Sequence, residues 1–261
     1  MADYVLAHRM DAQYMSISEL AEECAVADAT ISRFCRRLGL GGYNTFKLEL
    51  AKASMAAHSA RRAGNEEGGR DGFEAMCRER MQESTAALEQ TVKRLDPEAL
   101  KRAADLLFQA GRVLCLGQGS SMVLAEEAWT LLSSISPKFV LVPDSHQQMA
   151  ALALMEEGDA ALYFSYSGST REIQDALEVA HARKGKVILI TRFPKSPGGL
   201  KADVVLQCGS NEGPLQAGSV PARVAQLFVL DLLYTELFQR APEQAVECRE
   251  RIAEAIARRH V

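Results

Sequence analysis

The sequence predicts a small all-α N-terminal domain followed by an α/β domain built on a doubly wound parallel sheet. Three observations carry that prediction. Short helical stretches with apolar stripes and capping residues fill residues 1–56. Residues 57–72, AHSARRAGNEEGGRDG, are rich in glycine and charge and lack apolar periodicity, which reads as a linker. Beyond Gly111, five short apolar runs alternate with longer helical segments. Runs that are apolar on both faces and joined by helices belong to parallel sheets covered on both sides.

The first domain starts from Ser16-Ile17-Ser18-Glu19, which fits a capping box. That helix runs to about Cys24, with Ile17, Leu20, Ala21 and Cys24 on one face. A break at Ala25-Val26-Ala27 leads into Asp28, an N-cap or first-turn acid. The next helix extends to Leu38 and ends at Gly39, a residue suited to a left-handed cap. Its apolar stripe is Ile31, Phe34, Cys35 and Leu38. A turn of about 100° per residue puts Ala29, Arg33 and Arg36 opposite, flanked by Thr30 and Arg37. Two short helices joined by a tight turn, the second with outward arginines, form a helix-turn-helix able to enter a major groove. Arginine can grip guanine bidentately, and Thr or Ala can touch a thymine methyl. A plain solvated helix face has the same periodicity, so periodicity alone leaves both readings open. The chain's net charge is −4, yet residues 33–52 hold Arg33, Arg36, Arg37, Lys47 and Lys52 against one acid, Glu49.

Residues 73–110 form connecting helices, the second begun by Asp96-Pro97. Strands are expected at 113–116, 139–142, 160–164, 187–190 and 204–206, within a domain spanning 111–240. Residues 241–261 add a C-terminal helix. Ligands in doubly wound folds bind at the carboxyl ends of the strands, where strand order reverses. The first such loop is Gly117-Gln118-Gly119-Ser120-Ser121-Met122. Its G-x-G, with Asp144 as a ribose acid, would suit a dinucleotide, but Met122 stands where the third glycine is needed. A small polar loop at a helix N-terminus remains, and no cofactor is expected. The third strand leads into Ser165-Tyr166-Ser167-Gly168-Ser169-Thr170-Arg171-Glu172. Hydroxyls around a glycine at a helix start can cage a phosphate against the positive end of the helix. An ordinary N-cap needs one hydroxyl, whereas Ser165, Ser167, Ser169 and Thr170 supply four. His146 reads as a surface histidine, and Trp129 as a packing residue.

Two family resemblances join these readings. The run SISELAEECAVADATISRFCRRLGLGGYNTFKLELA resembles the N-terminal domain of RpiR-type transcription regulators, including R-F-C-R-x-L-G and G-Y-x-x-F-K, over nearly all of residues 1–52. The family usually has Ser where Ala27 stands, which throws the cap onto Asp28, and its pattern usually extends a turn or two upstream of Met1. S-Y-S-G-S-T between a strand and a helix, with the earlier G-x-G-S-S loop, resembles a sugar isomerase (SIS) domain of flavodoxin-like type from about Gly111 to Phe238. That resemblance implies that Ser165, Ser167, Ser169 and Thr170 hold a sugar's phosphate and that Ser120 and Ser121 line the same pocket. It also places Glu212, in Asn211-Glu212-Gly213-Pro214-Leu215-Gln216, on sugar hydroxyls. Together the resemblances imply a regulator, of repressor type, of carbohydrate genes, with operator DNA and a phosphorylated sugar as partners. A homodimer or homotetramer is expected.

Composition narrows the alternatives. With 48% hydrophobic and 25% charged residues the chain is that of a globular protein. It has no apolar run of about 20 residues and no secretory n-region, so a cytoplasmic location without membrane contact is expected. Six scattered cysteines form no C-x-x-C pair, so neither a metal cluster nor a redox motif is expected, and most should be small buried hydrophobes. A sugar-phosphate isomerase or lyase is the competing function. Proton transfer needs a base near the substrate, and only Glu212 and His146 offer themselves, outside any catalytic motif. No catalytic residue is assigned.

Overall fold

A computed structural model describes residues 1–62, 70–215 and 218–258. The chain divides into two compact units, Met1–Ala87 with Asn211–Pro221, and Leu88–Ser210 with Ala222–Val261.

The first unit is helical: α1 (Ala2–Ala7), α2 (Arg9–Ala12), α3 (Ile17–Glu23), α4 (Asp28–Arg37) and α5 (Tyr43–Arg62), followed by most of α6 (Arg70–Arg94). The capping box forms as expected: Ser16 Oγ accepts from the Glu19 amide at 3.1 Å, and Glu19 Oε2 accepts from the Ser16 amide at 2.9 Å. Leu20, Ala21, Ile31 and Cys35 pack with Val5, Tyr43 and Phe46 into one core. Tyr43 and Phe46 of the G-Y-x-x-F-K tail are thus core residues. The Tyr43 hydroxyl donates to the carbonyls of Met15 (3.1 Å) and Ser16 (3.3 Å), tying α5 to the start of α3.

Three local expectations change. Leu38 is 54% exposed, because α4 ends at Arg37 and Leu38 is already its C-cap. Of the two roles expected of Asp28, first-turn acid is the one found and the cap is not; Ala27 holds the cap position without a side-chain bond, and Ser18 Oγ donates to Asp28 Oδ2 at 2.9 Å. The expected linker is helical at both ends, since α5 runs to Arg62 and α6 starts at Arg70. Ala and Arg are strong helix formers and carry α5 onward; the middle of the linker, 63–69, lies outside the described residues.

The second unit contains α7 (Pro97–Gln109), β1 (Val113–Gly117), α8 (Ser120–Ser133), β2 (Phe139–Leu141), α9 (Ser145–Ala153), β3 (Ala160–Phe164), α10 (Arg171–Ala182), β4 (Lys186–Thr191), β5 (Val204–Gln207), α11 (Val220–Arg240) and α12 (Pro242–Ala257). All strand pairs are parallel, in the order β2-β1-β3-β4-β5. Every residue of β1 and β3 is buried. Successive side chains of a strand alternate between faces. On one face Leu114, Leu116, Ala161, Tyr163, Val187 and Leu189 pack with Leu152 of α9 and Ile173, Ala176, Leu177 and Ala180 of α10. The alternate residues, Val113, Cys115, Leu162 and Ile188, are equally buried, and α8 packs along β1. The sheet is therefore covered on both sides, as the two-faced apolar runs require.

Cys35, Cys115 and Cys208 are buried, and burial pushes the Cys115 thiol up to about 12, whereas Cys77 is exposed on α6. Trp129, expected to pack, is 39% exposed. Among the described residues no helix is long and apolar enough to cross a membrane, and no group of His, Cys, Asp and Glu is placed to hold a metal ion.

Candidate functional site

The strand order reverses between β1 and β3, which lie side by side with Gly117 level with Phe164. Their following loops therefore start together at the carboxyl edge, the position where ligands bind in such sheets. This brings Ser120 and Ser121 to the same edge as residues 165–170.

Two glycines shape the first loop. A Cβ on Gly117 would collide with the backbone of Ser121, so only glycine lets α8 start this close to β1. Gly119 has φ +54° and holds the N-cap position of α8, placing Ser120 and Ser121 at the first helical residues. Beneath them Gln148, buried on α9, donates from Nε2 to the carbonyls of Gly117 (2.9 Å) and Val142 (2.8 Å) and accepts from Gln118 Nε2 at 2.9 Å. Asp144 is no ribose acid. It caps α9, accepting from the Gln147 amide at 2.9 Å. His146 is exposed on the first turn of that helix.

The second loop folds around Gly168, whose φ of +58° suits glycine and where a Cβ would strike the Ser196 hydroxyl. Ser165 is buried and its Oγ accepts from the Gly168 amide at 3.2 Å. Ser167 Oγ accepts from the Ser169 amide (3.3 Å), and Ser169 Oγ donates to the Ser167 carbonyl (2.9 Å). Thr170 holds the N-cap of α10 but makes no side-chain capping bond, so its hydroxyl is not engaged by the helix. Ser169 and Thr170 are exposed. A helix start with hydroxyls around it and no carboxylate in the loop offers amide and hydroxyl donors to an anion.

Sequence reading missed the support for this loop. Thr191, fully buried at the end of β4, donates from Oγ1 to the Tyr166 carbonyl at 3.0 Å, and the Gly198 amide donates to the Gly168 carbonyl at 2.8 Å. The signal was available: Thr191-Arg192 follows an apolar run at the same sheet edge. Glu212 is placed differently from the other expected ligand residues. It lies on the segment that belongs to the first unit, and its Oε1 accepts from the amides of Gly218 and Ser219 within its own loop.

In the first unit Ala29, Arg33, Arg36 and Arg37 are exposed on α4, and Thr30 is half-buried. Arg33 donates to Thr30 Oγ1 at 3.2 Å. Arg36 and Arg37 occupy the last turn, where the helix dipole favours cations. Lys47 sits apart from this face in character. It is half-buried with Nζ 5.5 Å from the centre of the Tyr43 ring, and burial pulls its pKa below the ordinary lysine value.

Comparison with known proteins identifies the class these two sites define. Residues 1–57 match the helix-turn-helix domain of the rpiR family, and residues 106–236 match the SIS domain. An uncharacterised HTH-type transcriptional regulator of Caldanaerobacter subterraneus subsp. tengcongensis is 30% identical over the whole chain and 92% of that relative. The HTH-type transcriptional regulator HexR of Pseudomonas aeruginosa is 31% identical over 90% of this chain and 81% of its own. The structure of the Vibrio vulnificus NanR protein complexed with ManNAc-6P superposes with a TM-score of 0.83 at 27% identity, covering 98% of this chain and 90% of that one. The chain belongs to the rpiR family of helix-turn-helix transcriptional regulators that carry a SIS domain.

Proposed function

We propose that this regulator binds operator DNA through α4 and changes its affinity for that DNA when a phosphorylated sugar occupies the SIS domain. The observation that carries the reading is the loop at 165–170: hydroxyls packed around Gly168 at the start of α10, beside the first loop's Ser120 and Ser121 at the switch point. Ser165 and Gly168 shape the cage, and Ser167, Ser169 and Thr170 hold the phosphate with the first-turn amides. The NanR protein, similar over nearly the whole chain, was solved with ManNAc-6P, which supports a phosphosugar as the effector class. On the DNA side Arg33 and Arg36 read bases, with Ala29 and Thr30 at the thymine methyls. Arg37 serves a phosphate, and Lys47, with its ammonium over a ring, contributes less than a solvated lysine would. Repression of carbohydrate genes by a cytoplasmic homodimer or homotetramer fits a helix-turn-helix reading a near-palindromic site.

Glu212, whose Oε1 accepts the Gly218 and Ser219 amides, is retained as the residue facing the sugar hydroxyls. An isomerase or lyase needs a base held against the substrate carbon. The two carboxylate or imidazole candidates are a helix-turn histidine in water and a glutamate engaged by backbone amides. A regulator is therefore the reading. Replacing Arg33 and Arg36 by Ala tests it: operator affinity should fall by about 1–3 kcal/mol per base-reading arginine, with phosphosugar affinity unchanged. Steady conversion of a phosphosugar by the wild-type protein would refute the regulator-only account.

A further inference from the structure

The hydroxyl loop is tied, through a short chain of bonds, to two of the three places where the chain crosses between its compact units. Tyr166, the loop's second residue, donates from its hydroxyl to the Ser210 carbonyl at 2.9 Å. The same carbonyl accepts from Arg192 Nε at 3.1 Å, and the Arg192 amide donates to the Tyr166 carbonyl at 3.1 Å. One residue earlier, Gly209 lies directly on α6. Its amide donates to Thr91 Oγ1 at 2.9 Å, and the Thr91 hydroxyl reaches the Gly209 carbonyl at 3.3 Å. A Cβ on Gly209 would overlap the backbone of Gln90 and Thr91, and Thr91 itself is fully buried.

These contacts matter because of where the chain crosses between its compact units. It crosses at Ala87–Leu88, inside α6, at Ser210–Asn211, and again at Pro221–Ala222. Thr91 stands a turn beyond the first crossing, and Gly209-Ser210 ends at the second. Backbone packed against backbone has no flexible side chain to absorb a shift, so displacement of one partner moves the other. Coupling between distant sites is carried by such packed, hydrogen-bonded chains when the element has two discrete arrangements.

We propose that Thr91 is the residue through which anion capture at 165–170 reaches the DNA-reading unit. Occupancy of the loop repositions Tyr166, and the Ser210, Gly209 and Thr91 bonds carry that change into α6 and into the segment beginning at Asn211. The proposal rests on the phosphosugar reading above and specifies how that site regulates.

Amide hydrogen exchange on the full chain tests it, with inorganic phosphate and N-acetylmannosamine 6-phosphate as probes. In the wild type, a probe that protects peptides covering 165–170 should also change exchange in peptides covering 88–94 and 208–213 by about threefold or more. Thr91→Val keeps the side-chain shape and removes the hydroxyl; the loop should still be protected while the α6 response disappears. Thr91→Ser should restore it. A wild type whose loop is protected with no response in α6 overturns the proposal and leaves the binding reading standing, as does a Thr91→Val protein that responds like the wild type. If neither probe protects the wild-type loop, the binding reading falls and the proposal with it. Should Thr91→Val fail to fold, the presence or absence of the α6 response in the wild type decides alone.

Discussion

Gly168 concentrates the chemistry of the ligand loop in one residue. Its left-handed φ and the Ser196 hydroxyl at the site of a Cβ both exclude a side chain. Gly168→Ala should therefore cost about 1–3 kcal/mol, read as a lower melting temperature, and should weaken phosphosugar binding more than Ser169→Ala does. The need for this glycine was legible as the S-Y-S-G-S-T string; the reason, Ser196 arriving from the next loop, was not, because it is 28 residues away in sequence. Asp144 and Glu212 show what residue type leaves open. Each is a carboxylate at a loop of this domain, and each accepts backbone amides, Asp144 from Gln147 and Glu212 from Gly218 and Ser219. Residue type marks an acceptor, and only the fold tells whether a backbone amide or a ligand faces it.

At the scale of elements, the strands were readable because a strand buried on both faces leaves no polar alternation, and all five runs form strands in one parallel sheet. Helix ends were readable where a side chain makes the cap, as at Ser16 and at Asp96, which accepts from the Glu98 amide at 2.9 Å. The end of α4 was not, being read at Leu38 where the helix stops at Arg37. Ser16→Ala should destabilise the helical unit by about 0.5–2 kcal/mol, measured by thermal or urea unfolding. In the sheet, Asp203 staples β4 and β5: its carboxylate accepts from the Val187 amide (2.9 Å) and Lys186 Nζ (2.9 Å) and lies 3.0 Å from His181 Nε2. Burial alone would raise its pKa, but the Lys186, Val187 and His181 bonds hold it below the ordinary carboxylate value. A depressed pKa means the stabilisation is present above the ordinary carboxylate range and is lost as pH falls through the lowered value. Asp203→Asn should thus destabilise at pH 7 by about 1.5–3 kcal/mol, and the gap to the wild type should close under acid. A gap independent of pH would contradict the ion-pair account.

For the molecule as a whole, an acidic chain, with a net charge of −4, carries a local basic excess at residues 33–52. DNA affinity should fall steeply with salt, and Arg37→Ala should lower the slope of log affinity against log salt by about one while sparing sequence preference. Effector and operator must also be linked reciprocally: whatever factor the phosphosugar applies to DNA affinity, DNA applies to phosphosugar affinity. The measurement closest to the central claim is operator affinity, on DNA flanking the protein's own gene, with and without a panel of hexose phosphates that includes N-acetylmannosamine 6-phosphate. The account predicts that one panel member changes wild-type affinity by about 5-fold or more, and that Ser167→Ala with Thr170→Ala removes the response while basal DNA binding stays. An undiminished response in that double variant, or steady turnover of the active compound, would contradict it.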